Sequence, residues 1–238
     1  MKLLLTSNGL TNPSLEKEFL EMTGNNMDLR IAMIPTAGDP IKWVPLIEGN
    51  ESYDNFVPKL IWEYEIEENT SYLYFKNKGY DVIIVDLKED PERVKEKLQS
   101  VDVIEVGGGD INYLLDWAKK AKLDTYLKDL LDTDIVYIGT SAGSMLIQPD
   151  IGLTWWKPEM KADHKGLGII DFLTTGGHGK DSDEENVNEI IERMTKQREY
   201  LRSEMNFPWK IYVVMDGQAI KVINKRITHV WEWCKKYF

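Results

Sequence analysis

Short apolar runs that stop at glycine or another turn residue recur along this chain, and they restrict its fold more than any other feature. Residues 3–5 run into Thr6-Ser7-Asn8-Gly9, residues 31–34 into Pro35-Thr36-Ala37-Gly38, and residues 82–85 into Asp86. Residues 103–106 run into Gly107-Gly108-Gly109, and residues 135–138 into Gly139. Runs of about four residues, rich in β-branched side chains, are what strands buried on both faces require. Amphipathic segments lie between them, near residues 14–22, 61–78, 91–99, 112–120 and 123–131. Strand alternating with helix predicts an α/β fold, a mostly parallel sheet with helices on both faces and right-handed crossovers. A long charged helix is expected over 183–202. Three later strands follow near 211–215, 219–223 and 227–231, separated by Asp216-Gly217 and Asn224-Lys225, so the end of the sheet is expected to be antiparallel.

At 238 residues the chain suits one α/β domain, residues 1–238, rather than two. A net charge of −11 argues against a nucleic-acid partner, which phosphate binding would mark with clustered Lys and Arg. A lone Cys234 forms no intramolecular disulfide, so nothing points to an oxidising compartment. The three leucines after Lys2 are too few for a signal-peptide core, and no run is long enough to span a membrane. These readings predict a cytoplasmic protein with no membrane partner. The aromatic stretch 42–53 reads as an irregular surface loop or a subunit contact, which leaves a homodimer open.

The most specific motif is Gly139-Thr140-Ser141-Ala142-Gly143, a G-x-S-x-G between a buried strand and a small-residue helix start. In a nucleophile elbow of this form the serine adopts a strained backbone that projects Oγ from the strand end, and the flanking glycines leave room for the crossing. The alternative is a plain strand-to-helix turn in which Ser141 caps the helix. Gly107-Gly108-Gly109-Asp110 also ends a buried strand, where it can present backbone N–H groups to a ligand, with Asp110 capping the next helix. No Gly-Lys-Ser/Thr follows it, so a P-loop is excluded.

A serine nucleophile needs a base, and the chain has three histidines. His178 stands among glycines just after the apolar residues 169–173, a composition that suits a loop at a strand end with the imidazole accessible, and it is the favoured base. His164 lies in a charged loop-like segment. His229 falls within an alternating strand and reads as structural. Asp216, at a strand end before Gly217, is the favoured orienting acid, ahead of Asp163 and Asp171. No His, Cys and Asp cluster has metal-ligand spacing, so neither metal nor cofactor is expected.

The blocks Ile34-Pro-Thr-Ala37, Gly107-Gly-Gly-Asp-x-x-Tyr-Leu-Leu115, Gly139-Thr-Ser-Ala-Gly-Ser144, Gly166-Leu-Gly-Ile-Ile-Asp-Phe172 and Asp216-Gly-Gln-Ala-Ile220 resemble, in that order, the dipeptidase E and cyanophycinase family of serine peptidases. The resemblance spans most of the chain. It implies a flavodoxin-like fold related to class I glutamine amidotransferases, with Ser141 as nucleophile, His178 as base and Asp216 as acid. It further implies that Gly108, Gly109 and Ala142 supply oxyanion N–H groups, and that the substrate is a small peptide. Where the family usually carries Pro-His, this chain has Gly177-His178. Where aspartyl dipeptidases carry an arginine downstream of the histidine, residues 181–188 carry no basic residue, so a basic or neutral N-terminal residue is as compatible as an acidic one. Two other readings keep the same turn: a non-catalytic binding protein on this scaffold, and an esterase using Ser141, Asp216 and His229.

Overall fold

A computed structural model describes residues 1–39, 41–45, 56–60, 70–151, 165–177 and 209–230. Its centre is a seven-stranded sheet. β1 (Lys2–Thr6), β2 (Arg30–Ile34), β5 (Asp81–Ile84), β6 (Val103–Val106) and β7 (Val136–Thr140) are its parallel strands. β10 (Ala219–Ile223) pairs antiparallel with β1, and β11 (Arg226–Val230) pairs antiparallel with β10. The order across the sheet is β11-β10-β1-β7-β6-β2-β5. The expected α/β fold, parallel with an antiparallel end, is what forms.

Helices cover both faces. α1 (Pro13–Met22) and α2 (Thr70–Asn77) lie on one, where Leu15, Phe19 and Phe75 pack with Leu4, Met33 and Ile138. Phe19, Phe75 and Tyr80 meet edge to face at centroid distances of 5.8 to 5.9 Å. The other face carries α3 (Pro91–Gln99), α4 (Ile111–Lys120), α5 (Leu123–Leu131) and the short α6 (Ala142–Leu146), packed on Leu5, Ile34, Ile104 and Val106. Capping explains several boundaries. Asn12, Asp90 and Asp110 each accept a backbone N–H of the first turn of α1, α3 and α4, and Pro13 and Pro91 occupy the first helical position.

Three expectations are corrected. The stretch 42–53 is not wholly irregular, because β3 (Ile41–Pro45) pairs antiparallel with β4 (Phe56–Leu60). The loop expected at the glycines before His178 is strand as far as Gly177, because β8 (Phe172–Gly177) takes in Gly176 and Gly177. β9 (Lys210–Met215) is not the first of an antiparallel trio; it pairs parallel with β8 in a separate two-stranded sheet. The expected helix over 183–202 lies outside the described residues. Among the described residues no helix is long and apolar enough to cross a membrane.

Candidate active site

β1, β6 and β7 run parallel and end together, at Thr6, Val106 and Thr140. Ser141 follows directly from β7 and has φ 49° and ψ −110°, a conformation that a residue with a side chain adopts only under constraint. Hydrogen bonds supply that constraint. The Ser141 N–H donates to the Thr6 carbonyl at 3.0 Å, and the Ser141 carbonyl accepts from the N–H groups of Ser144 and Met145 at 2.9 and 3.2 Å. The Ser144 hydroxyl lies 2.9 Å from the Thr6 carbonyl and 2.8 Å from the Gly139 carbonyl, and the Tyr137 hydroxyl donates to the Gly143 carbonyl at 2.6 Å.

The two glycines are there for room. A Cβ on Gly139 would stand 2.7 Å from the Ser144 backbone, and one on Gly143 would stand 2.0 Å from the Val106 carbonyl oxygen. The capping alternative fails, because the Ser141 side chain makes no capping hydrogen bond to α6.

The glycine loop after β6 reaches the same point. A Cβ on Gly108 would come within 3.1 Å of the Ser141 Cβ and 3.8 Å of its Oγ, so any side chain at this position would crowd the serine. Gly109 has φ 141°, and a Cβ there would overlap the Ala37 carbonyl oxygen at 2.1 Å. That carbonyl accepts the Asp110 N–H at 2.9 Å, and the Asp110 carboxylate accepts the Tyr113 N–H at 2.9 Å. Gly108 and Ala142 thereby flank Ser141 while Gly109 packs against Ala37, and the Ala142 N–H lies in the first turn of α6, where no intrahelical carbonyl is available to it.

Asp216 follows β9 at this edge of the sheet. Its Oδ1 accepts the Ser7 hydroxyl at 2.8 Å, and Ser7 directly follows the Thr6 whose carbonyl holds Ser141. Asn8 Oδ1 accepts the Gly217 N–H at 3.1 Å, and the Asn12 side-chain amide donates to the Gly217 carbonyl at 2.7 Å. The turn at 216–218 is therefore fastened to the loop between β1 and α1. His178 and His164 lie outside the described residues, as does Asp163. His229 sits within β11, level with Ile220, and its ring meets Tyr212 edge to face at 5.2 Å. Burial lowers its pKa. Three strand spacings, about 14 Å, separate β11 from β7, which leaves the Ser141-Asp216-His229 arrangement without reach.

Residues 3–230 match the family model of peptidase family S51. The chain belongs to that family. It is a serine-type peptidase. An uncharacterized peptidase of Listeria monocytogenes serovar 1/2a (strain ATCC BAA-679 / EGD-e), Lmo0363, is 24% identical over 174 residues, covering 68% of this chain and 82% of that protein. Among solved structures, a peptidase E-type protein from Listeria monocytogenes EGD-e superposes with a TM-score of 0.64 at 21% identity over 96% of both chains. A peptidase from an acI-B1 Actinobacterium gives 0.55 at 18% identity, over 93% of this chain and 82% of that one. At these identities the structural likeness speaks for the fold, and the family match speaks for the serine peptidase class.

Two features of this S51 peptidase escape the sequence reading. Thr6 and Ser7 look like ordinary turn residues, yet they tie Ser141 and Asp216 to one strand end. The second is Glu105. It sits inside the otherwise apolar β6, 1% exposed, on the face covered by α1 and α2. Its Oε1 accepts the Thr140 hydroxyl at 3.2 Å, whereas Oε2 has no hydrogen-bond partner among the described residues. The Ser71 hydroxyl of α2 also favours the charged form without closing a bond to Oε2. Burial outweighs both and pushes the carboxyl up to about 7. A cavity of about 220 Å³ lies against it. The signal in the sequence was a single acidic residue within a strand buried on both faces.

Proposed function

We propose that this S51 peptidase hydrolyses dipeptides or short peptides through a Ser141-His178-Asp216 triad and an acyl-enzyme intermediate. The observation that carries the reading is the backbone of Ser141, held at positive φ by Thr6 and Ser144, with its hydroxyl unused by the helix it precedes and Gly108 leaving room beside its Cβ. Strain of this kind persists where the surrounding structure over-determines it, and it aims a side chain out of the strand end.

In this mechanism the Ser141 Oγ attacks the scissile carbonyl carbon while its proton passes to the His178 imidazole. The oxyanion is met by N–H groups of Gly108, Gly109 and Ala142, in a geometry that costs no reorganisation as charge develops. The intermediate collapses to a Ser141 ester, and imidazolium returns the proton to the departing amine. Water then attacks the ester, giving its proton to His178, and the acid product leaves with Ser141 restored. Asp216 fixes the imidazole tautomer and stabilises the imidazolium. The Ser7 hydroxyl on Asp216 Oδ1 supports this role by fixing one carboxylate oxygen and leaving the other for the imidazole.

The reading is tested with purified protein and a panel of dipeptides of acidic, basic and neutral N-terminal residues. Hydrolysis is expected from the wild type, and Ser141→Ala is expected to lower kcat/KM by about 10⁴-fold or more with the fold unchanged. A Ser141→Ala protein that keeps full activity overturns it.

A further inference from the structure

We propose that the cavity against Glu105 is the subsite of this enzyme that receives a primary alkylammonium group of its substrate, an inference that rests on the peptide-hydrolase reading above. The cavity lies between the loop after β1, the start of α2, and the ends of β6 and β7. Leu10, Phe75 and Ile138 give it apolar walls, and Glu105 is the one carboxyl among its described lining residues. Gly9 lies over it: a Cβ there would stand 3.5 Å from the Thr140 Oγ1 and 3.6 Å from the Ser71 Oγ.

A carboxyl that only supports a fold is met by a cation or by backbone N–H groups, because an unpaired buried charge is costly. Here no Lys, Arg or His lines the cavity among the described residues, and one carboxylate oxygen is left without a donor. The missing partner is therefore a donor that arrives from outside. Its chemistry follows from the geometry. Guanidinium prefers two carboxylate oxygens side by side, and Thr140 already occupies one of them. Hard metal ions need several oxygens, and the described residues hold no group of three His, Cys, Asp or Glu that could bind one. A compact ammonium with an alkyl stem satisfies Oε2 and lays its methylenes on the apolar walls. The position suits a substrate subsite, since Thr140, which hydrogen-bonds Glu105, is the residue before Ser141.

Two sources carry this group: the α-ammonium of an N-terminal residue and the side chain of a lysine-like residue. The neighbouring titratable groups are Tyr74 from α2 and Tyr137 from β7, both raised by burial and so neutral at ordinary pH. Among the described residues no charged side chain acts on the Glu105 carboxyl, and the charged groups beside Tyr74, Glu16 of α1 and Lys78 just after α2, pair with each other. Ammonium binding is therefore expected to strengthen as pH rises through about 7, where Glu105 ionises.

The test is calorimetric titration of butylammonium chloride and of its neutral counterpart butanol into the Ser141→Ala protein. Binding is read without turnover, so a wild type that fails to cleave peptides leaves this outcome intact. Butylammonium is expected to bind about tenfold or more tightly at about pH 8 than at about pH 5.5, butanol not measurably, and Glu105→Gln is expected to lose the ammonium binding. Equal binding of butanol, or no dependence on pH, overturns the proposal even if Glu105→Gln does not fold. Competition by leucinamide assigns the site to the α-ammonium, and competition by Nα-acetyl-lysine amide assigns it to a side chain. Competition by neither overturns the substrate role.

Discussion

Ser141 and Glu105 are both polar residues at positions that regular secondary structure does not favour, and they differ in how openly the sequence shows it. The serine announces itself, because glycines two residues away on either side have a steric meaning: a Cβ on them would stand 2.7 and 2.0 Å from neighbouring backbone. The glutamate hides inside a four-residue run that passes for a buried strand, and only the packing of α2 over it reveals the cavity. A stability prediction belongs to this residue. In the unfolded chain its pKa is the ordinary 4.5, and in the folded protein it is about 7. The native state thus binds more protons across that window, so this carboxyl's contribution is favourable below about 4.5 and is lost as pH rises through about 7. Relative to Glu105→Gln, the wild type is expected to lose on the order of 3 kcal/mol between those limits. Urea unfolding of both proteins from about pH 4.5 to about pH 8 reads the difference. Parallel pH profiles would show that the carboxyl is not desolvated.

At the level of elements, the strand and helix alternation was legible because each buried strand is short, apolar and punctuated by turn residues. The boundaries of α3 and α5 follow the pattern closely. What failed was pairing. The parallel partnership of β8 with β9 joins segments separated by more than thirty residues, and no local periodicity encodes such a match. The β10–β11 hairpin was readable from Asn224-Lys225, both of which take positive φ, at 49° and 69°. A two-residue turn of that kind suits Asn but forces a Cβ-bearing lysine into the left-handed region. Lys225→Gly is therefore expected to stabilise the protein by about 1 kcal/mol, read as a higher midpoint in urea at unchanged slope. A lower midpoint would mean that the lysine side chain makes a contact worth more than the strain.

At the scale of the molecule, the seven-stranded sheet separates two apolar layers, and the ends of its parallel strands gather groups from distant parts of the sequence. Ser141, the glycine loop, Ser7 and Asp216 come from four different connections yet meet at one edge. The sequence made the proposed nucleophile and the family legible, since ordered motif blocks carry both. It did not show how Asp216 is fastened, because Ser7 and Asn8 read as turn residues until β1 and β10 are seen as neighbours. His178 follows the end of β8, and its place in the proposed triad depends on its ring meeting a serine that this edge already holds in position. The most direct measurement is intact-mass analysis after treatment with a fluorophosphonate, followed by peptide mapping. A single adduct on Ser141 is predicted, formed at least about 10³-fold more slowly in His178→Ala. An adduct on another residue, or no adduct on a protein that still cleaves peptides, would contradict the account.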